Sequence, residues 1–103
     1  MKVQINTDSH VQGDESLIRH VESVVANALD RFSTQITRVE VHVRDKNAAK
    51  SGGDDKHCTM EARLEGRPPM TASDDADSVR DAISGAARKL QRVLDHALGK
   101  LAH

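Results

Sequence analysis

Two segments of the chain alternate apolar and polar residues without interruption, which is the pattern of β-strands that bury one face. The first, ITRVEVHVRD (36–45), directs its valines to one side. The second, HCTMEARLEG (57–66), directs Cys58, Met60 and Leu64 to one side. Between them, KNAAKSGGDDK (46–56) has two glycines and no large apolar residue, which is typical of a flexible loop. These three segments predict a β-hairpin.

The residues before this hairpin predict a strand followed by a helix. Val3 and Ile5 alternate with polar residues, as in a half-buried strand. After a polar turn, Asp14 or Ser16 can cap a helix whose apolar residues recur at three- and four-residue intervals as far as Phe32. The first helix should therefore end near Phe32.

The residues after the hairpin predict a fourth strand and a helix start. The segment RPPMTAS (67–73) has two prolines, which cannot donate to a β-ladder, so a strand starting near Met70 should lie at a sheet edge. Ser73, Asp74 and Asp75 are suited to capping a helix N-terminus. We therefore expect the second helix to follow at once.

The second helix is predicted to run from Asp77 to about Leu101, because apolar residues keep helical spacing over this whole range. The element order is then βαβββα. It predicts an α+β fold in which two helices pack on one face of a four-stranded mixed sheet and the other face stays polar. A chain of 103 residues is long enough for one such core, so residues 1–103 should form a single domain.

Composition excludes several classes of function. The net charge is -1, so any binding of nucleic acid would depend on charge segregated to one side of the molecule. Without Trp or Tyr, and with Phe32 expected in the core, base stacking on an aromatic platform is nearly excluded. A single cysteine and the lack of an apolar span favour a cytoplasmic protein without membrane contact.

No set of residues in the sequence predicts a catalytic, metal or cofactor site. Cys58 falls in the apolar register of its strand, so an inert, buried thiol is expected. The six histidines are scattered over different elements and lack the spacing of zinc ligands. Glu61 and Glu65 flank Arg63 on the polar face, where cross-strand ion pairs explain them better than a pair of catalytic carboxylates. We expect neither an enzyme nor a small-molecule substrate.

Charge is divided along the second helix. Residues 74–84 have four aspartates against one arginine, whereas residues 85–103 have four lysines and arginines against one aspartate. The helix dipole favours this arrangement in any helix, which gives it a purely structural explanation. The functional interpretation is that the basic half contacts phosphates, with salt-dependent affinity and no reading of base identity. The charges alone leave both explanations open.

A family resemblance favours the functional interpretation. The βαβββα order, the segment GRPPMTAS and the final segment DAISGAARKLQRVLDHALGKL are similar to the short ribosome hibernation-promoting factors. These proteins share a family with the ribosome-associated translation inhibitor and the sigma-54 modulation proteins. The resemblance spans nearly the whole chain and is most specific in the last helix, with its Ala-Ile, Lys-Leu, Arg and closing Lys-Leu pattern.

The resemblance implies a ribosome-binding protein that silences translation in resting cells. Its helices would occupy the mRNA and tRNA channel of the small subunit and contact ribosomal RNA, with the 70S ribosome as a further candidate partner. The matching RNA-binding positions are Lys89, Arg92 and Lys100, and Arg88 is an added neighbour. No cofactor is implied, and we expect a monomer or a weak dimer.

The chain departs from this family where lysines are expected. The closing segment has Asp95 and His96 in place of lysines, and the first helix has Glu22, Asn27 and Asp30. Each lost phosphate contact weakens binding at physiological salt. The alternative is a divergent member that acts as a protein–protein interaction module. The ribosome hypothesis requires the four basic side chains of residues 88–100 to cluster without being neutralised by carboxylates of the same chain.

Overall fold

The chain forms four strands and two helices in the predicted order βαβββα. The computed structural model describes residues 1–46 and 55–99. The elements are β1 (Lys2–Thr7), α1 (Glu15–Leu29), a 3₁₀ turn (Asp30–Phe32), β2 (Ile36–Asp45), β3 (Lys56–Leu64), β4 (Met70–Ala76) and α2 (Val79–Leu98). The predicted end of the first helix near Phe32 is confirmed, with its last turn tightened to 3₁₀ geometry.

The sheet is mixed, as predicted, and its strands follow the chain in the order β1-β2-β3-β4. β1 pairs with β2 in parallel across the crossover that contains α1, and the other neighbours are antiparallel. Val41 lies opposite Met60 and Val43 opposite Cys58, so the two alternating segments do form a hairpin with their apolar rows in register. Most of the predicted loop (46–56) lies outside the described residues, although Lys46 N donates to Asp55 O across its base at 2.8 Å.

The core lies between the two helices and one face of the sheet. α1 contributes a row with a four-residue spacing that ends at Leu29, and α2 contributes Ile83, Leu90 and Leu94. These side chains are fully buried against the inward-facing residues of β2 and β3. The buried row of α1 consists of Leu17, Val21, Val25 and Leu29, and that of the two central strands of Ile36, Val39, Val41, Val43, Cys58, Met60, Ala62 and Leu64.

The two helices run side by side in the same direction and are linked at both ends. Near their N-termini, Arg80 Nη2 donates to Ser16 Oγ at 2.9 Å. Near their C-termini, Arg31 Nη1 lies 2.8 Å from Asp95 Oδ1. Each link joins the two helical segments across the surface, and the buried packing between the helices and the sheet holds the basic half of α2 in position relative to α1.

The predicted start of the second helix is wrong by a few residues. Ser73, Asp74 and Asp75 belong to β4, which remains paired with β3 as far as Ala76. Ser78 caps α2 instead, and its hydroxyl accepts a hydrogen bond from Asp81 N. The ladder with β3 satisfies more backbone groups than an earlier helix start would, so it overrides the capping preference of these side chains. The edge position predicted for β4 is confirmed, and the predicted helix end near Leu101 lies outside the described residues.

Candidate nucleic-acid interface

Two arginines form the centre of the candidate interface on the exposed side of α2. Arg88 and Arg92 are four residues apart, so they stand one helical turn above each other on the same face. Both are exposed, and neither has an ion-pair or hydrogen-bond partner within residues 1–46 and 55–99. His96 extends the row by another turn. These two guanidinium groups are therefore available for an external anion.

Lys89 differs from its arginine neighbours because it already has an anionic partner. Its Nζ lies 2.7 Å from Oδ1 of Asp74 on β4. This pair joins α2 to the edge strand, and half of the Lys89 side chain is still exposed. Of the basic residues predicted to contact RNA, Lys89 is thus partly neutralised by its own chain, whereas Lys100 lies outside the described residues.

Asp74 is one of the three residues that were predicted to cap the second helix and that lie in β4 instead. It lies on the helix-facing side of β4, in register with the buried Cys58, where apolar residues would be expected. Gly85 on α2 leaves room for its carboxylate, and Lys89 compensates its charge. Burial, together with the negative charge of Asp74, raises the pKa of the Cys58 thiol to about 12, and the predicted burial of this thiol is confirmed.

The spacing of Gly85 and Lys89 in the sequence indicates part of this arrangement. Gly85 lies inside α2, among residues that mostly favour a helix. Lys89 follows it by four residues, so both lie on one side of α2. A glycine inside a helix often marks the close approach of another group. That group is the carboxylate of Asp74, which the alternation of β4 directs towards the helix.

Asp95 lowers the positive charge of this surface less than its position on α2 suggests. Arg31, at the end of the first helical segment, compensates its charge in the 2.8 Å ion pair. The Arg31 guanidinium also lies 5.0 Å from the centre of the Phe32 ring, which helps fix its position. The C-terminal half of α2 therefore retains the positive charge of Arg88 and Arg92 without a net contribution from Asp95.

α1 adds little positive charge to this surface. Glu22 and Asn27 are exposed on it, and Arg19 is 3.8 Å from Glu15, an exposed pair that contributes little to stability. The net positive charge of the two helices is therefore concentrated in the C-terminal half of α2, and any phosphate contacts should be concentrated there.

Part of the ion pairing predicted for the outer face of the sheet is present, although Glu65 has no ion-pair partner among the described residues. The Glu40 carboxylate on β2 lies 2.8 Å from Arg63 Nε on β3 and 3.1 Å from Arg38 Nη2. Glu61 and Arg63 are also paired at 3.1 Å. Within the described ranges, no three His, Cys, Asp or Glu side chains lie close enough to hold a metal ion, and neither helix is long and apolar enough to cross a membrane.

Comparison with known proteins gives one family and several structures of the same fold. A family model for the sigma 54 modulation protein / S30EA ribosomal protein matches residues 3–102. A ribosomal subunit interface protein from Coxiella burnetii superposes with a TM-score of 0.75 and 15% identity, over 96% of this chain and 99% of that chain. The N-terminal domain of Protein Y from Thermus thermophilus gives a TM-score of 0.74 and 14% identity, over 94% and 99%. At such identities the likeness shows the fold alone, and no curated protein sequence matches the chain at a significant level.

Proposed function

Because the chain belongs to the sigma 54 modulation protein / S30EA ribosomal protein family, we propose that it is a ribosome-associated factor that inhibits translation during hibernation. In this proposal it is a cytoplasmic protein that binds ribosomal RNA in the mRNA and tRNA channel of the small subunit. It acts by occupying that channel and performs no chemical reaction.

The observation that carries this proposal is the pair of uncompensated arginines on α2. Arg88 and Arg92 are exposed on one helical face and have no carboxylate partner in the described part of the chain. An arginine guanidinium can donate two parallel hydrogen bonds to a phosphate, so two adjacent arginines can hold neighbouring phosphates of an RNA backbone. We assign the main phosphate contacts to this pair.

Lys89 and Lys100 have secondary roles in the proposed interface. Lys89 would contact RNA only by sharing its ammonium group between a phosphate and the Asp74 carboxylate. Lys100 matches the family pattern and would extend the contact beyond the end of α2. Because the chain lacks aromatic residues for stacking, recognition would depend on RNA shape and phosphate charge.

The neutralised Lys89 and the acidic exposed side chains of α1 favour a second candidate function. With fewer free cations than its family suggests, the chain could be a divergent member that acts through contacts with other proteins. Salt dependence separates the two candidates, because phosphate contacts release counterions and contacts between neutral protein surfaces do not.

The test is cosedimentation with 30S subunits and with 70S ribosomes at several salt concentrations. The chain is compared with the Arg88→Ala/Arg92→Ala variant, with a variant that replaces Arg88, Lys89, Arg92 and Lys100 by alanine, and with Lys2→Ala/Arg67→Ala. The last variant is the matched control, because it also removes two exposed cations that have no ion-pair partner in the described residues but lie away from α2.

The proposal predicts that binding weakens steeply with salt. The Arg88→Ala/Arg92→Ala variant should reduce the slope of log affinity against log salt by about 0.7–0.9 for each lost phosphate contact. The matched control should change the slope much less. Absence of the chain from the 30S fraction at every salt concentration, or equal effects of the two double variants, would favour the protein–protein alternative.

A further inference from the structure

An open depression lies on the outer face of the sheet, opposite the helices. It has a volume of about 470 Å³, which is within the range of small-ligand sites. Asn6 from β1, His42 and Arg44 from β2, and His57 and Thr59 from β3 supply its polar side chains. The strand register brings them together, since Asn6, His42 and Thr59 form one row across the sheet and Arg44 and His57 form the next.

Arg44 is the fixed positive charge of this outer-face depression. Its side chain is exposed and has no ion-pair or hydrogen-bond partner among the residues that the structure describes. This separates it from Arg38 and Arg63 on the same face, which are both held by Glu40. A free guanidinium in a depression lined by further polar side chains suits an anion.

A chain of hydrogen bonds through His57 links Asp75 to Thr59 and can leave the Thr59 hydroxyl free to donate. His57 Nδ1 lies 2.7 Å from Asp75 Oδ1, and its Nε2 lies 3.0 Å from Thr59 Oγ1. When His57 is protonated, both ring nitrogens donate, so the Thr59 oxygen accepts and its O–H is free to donate to a ligand. Hydrogen bonds from Lys46 and His57 lower the pKa of Asp75 to about 2, so this carboxylate stays charged and holds the ring.

We propose that the outer-face depression binds a single phosphate group, carried by inorganic phosphate or by a small phosphorylated molecule. Arg44 supplies the positive charge, and Thr59 supplies a hydroxyl. The proposal is independent of the function assigned to α2, which lies on the other face of the sheet.

The charges around the depression favour a compact anion over a polyanion. Asp8 lies at one margin of the depression and Asp75 at the other. Glu40 lies two residues before His42 on β2, in the neighbouring row of the outer face. A nucleic-acid backbone crossing the sheet would meet all of these carboxylates. A single phosphate beside Arg44 would have only Asp8 in the same depression, and both oxygens of that carboxylate already accept backbone hydrogen bonds. The ligand that fits the depression is therefore one phosphate group, whether it is free or part of a small molecule.

The order Asp75, His57, Thr59 also has the connectivity of a hydrolytic triad, but the surroundings favour binding over catalysis. β3 lies between β2 and β4, so the backbone N–H groups near Thr59 are used by the two ladders. They cannot form an oxyanion hole beside its hydroxyl. Donation of a hydrogen bond from the Thr59 hydroxyl to an anion needs no oxyanion hole.

The experiment is a titration of the ¹⁵N-labelled chain followed by NMR, with sulfate, inorganic phosphate, a nucleoside monophosphate and a short single-stranded RNA at constant ionic strength. The Arg44→Gln variant removes the proposed charge. Lys2→Gln is the matched control, since Lys2 is an exposed cation on the same face that does not line the depression. Thermal unfolding of both variants establishes that they are folded.

The proposal predicts saturable shifts of the amide signals of residues 6–8, 42–44 and 57–59 with each small anion. Arg44→Gln should weaken binding about tenfold or more, while Lys2→Gln should have little effect. Shifts that do not saturate, equal effects of the two variants, or RNA that displaces phosphate and extends the shifts to Lys2 and Arg38 would each overturn the proposal.

Discussion

Gly85 on α2 packs directly against the carboxylate of Asp74 on β4, and a Cβ at position 85 would overlap Oδ2 of that carboxylate. The carboxylate in turn holds Lys89, one helical turn further along α2. A glycine, an inward-facing aspartate and a lysine therefore form one unit that joins the edge strand to the helix. This unit removes one cation from the candidate RNA-binding surface.

Replacing Gly85 by alanine should destabilise the chain, although alanine is the better helix former. Helix propensity alone would favour the Gly85→Ala variant by about 1 kcal/mol. The new Cβ displaces the Asp74 carboxylate from its position and separates it from Lys89, and overpacking of this kind typically costs about 1–3 kcal/mol. The free energy of unfolding, measured with urea, should therefore fall by about 1 kcal/mol.

Two further variants test the cause of that effect. Gly99→Ala is the control glycine substitution, because its Cβ would meet Asp95 Oδ1 only at 3.9 Å, an ordinary contact. In an Asp74→Ala background the Gly85→Ala substitution should become neutral or stabilising. An equal loss of stability with and without the Asp74 carboxylate would show that another contact limits the space at position 85.

The strands were predictable from sequence because burial of one face imposes a two-residue period that few other structures share. The bounds of β2 agree with the prediction at both ends, and β3 begins one residue early. The start of α2 was not predictable in the same way. Asp74 and Asp75 are suited both to a helix cap and to an edge strand, and only the pairing with β3 decides between them.

The candidate site was predictable in its position but not in its charge balance. Helical spacing alone places Arg88 and Arg92 on one exposed face. The partners of the other charged residues come from distant segments: Asp74 on β4 neutralises Lys89, and Arg31 neutralises Asp95. No local pattern connects residues that far apart in the chain, so their pairing requires the folded structure.

Acid should remove the contribution of Asp75 to stability. Its pKa is lowered from the usual 3.8 to about 2 by Lys46 and His57, so the folded state favours the charged carboxylate. The resulting stabilisation is fully present above about pH 5, and it is lost as the pH falls through the folded-state pKa. Asp75→Asn should therefore be less stable than the unmodified chain at pH 5–7, and the difference should shrink as the pH approaches 2.

Urea unfolding at a series of pH values measures this difference. Asp77→Asn is the matched control, because Asp77 is an exposed aspartate without an ion-pair partner among the described residues. A stability difference for Asp75→Asn that stays constant down to pH 2 would contradict the assigned interaction.

The Cys58 thiol should be unreactive while the chain is folded. Burial raises its pKa from the usual 9.0 to about 12, and the side chain has no exposed surface. At pH 8 the thiolate fraction should be about a thousandfold lower than in the unfolded chain. Modification by a thiol reagent should therefore proceed only through unfolding, and it should accelerate in urea. Rapid modification in the absence of denaturant would contradict the buried position.

Removing the charge of Asp95 should strengthen the proposed binding to the ribosome. In the folded chain Arg31 and Asp95 compensate each other, so Asp95→Asn releases the Arg31 guanidinium beside the Arg88 and Arg92 surface. One added phosphate contact would steepen the slope of log affinity against log salt by about 0.7–0.9. Cosedimentation of Asp95→Asn with 30S subunits should therefore increase at low salt. Asp77→Asn, which removes the same charge near the opposite end of α2, is the control, and an equal gain in both variants would mean that net charge alone controls binding.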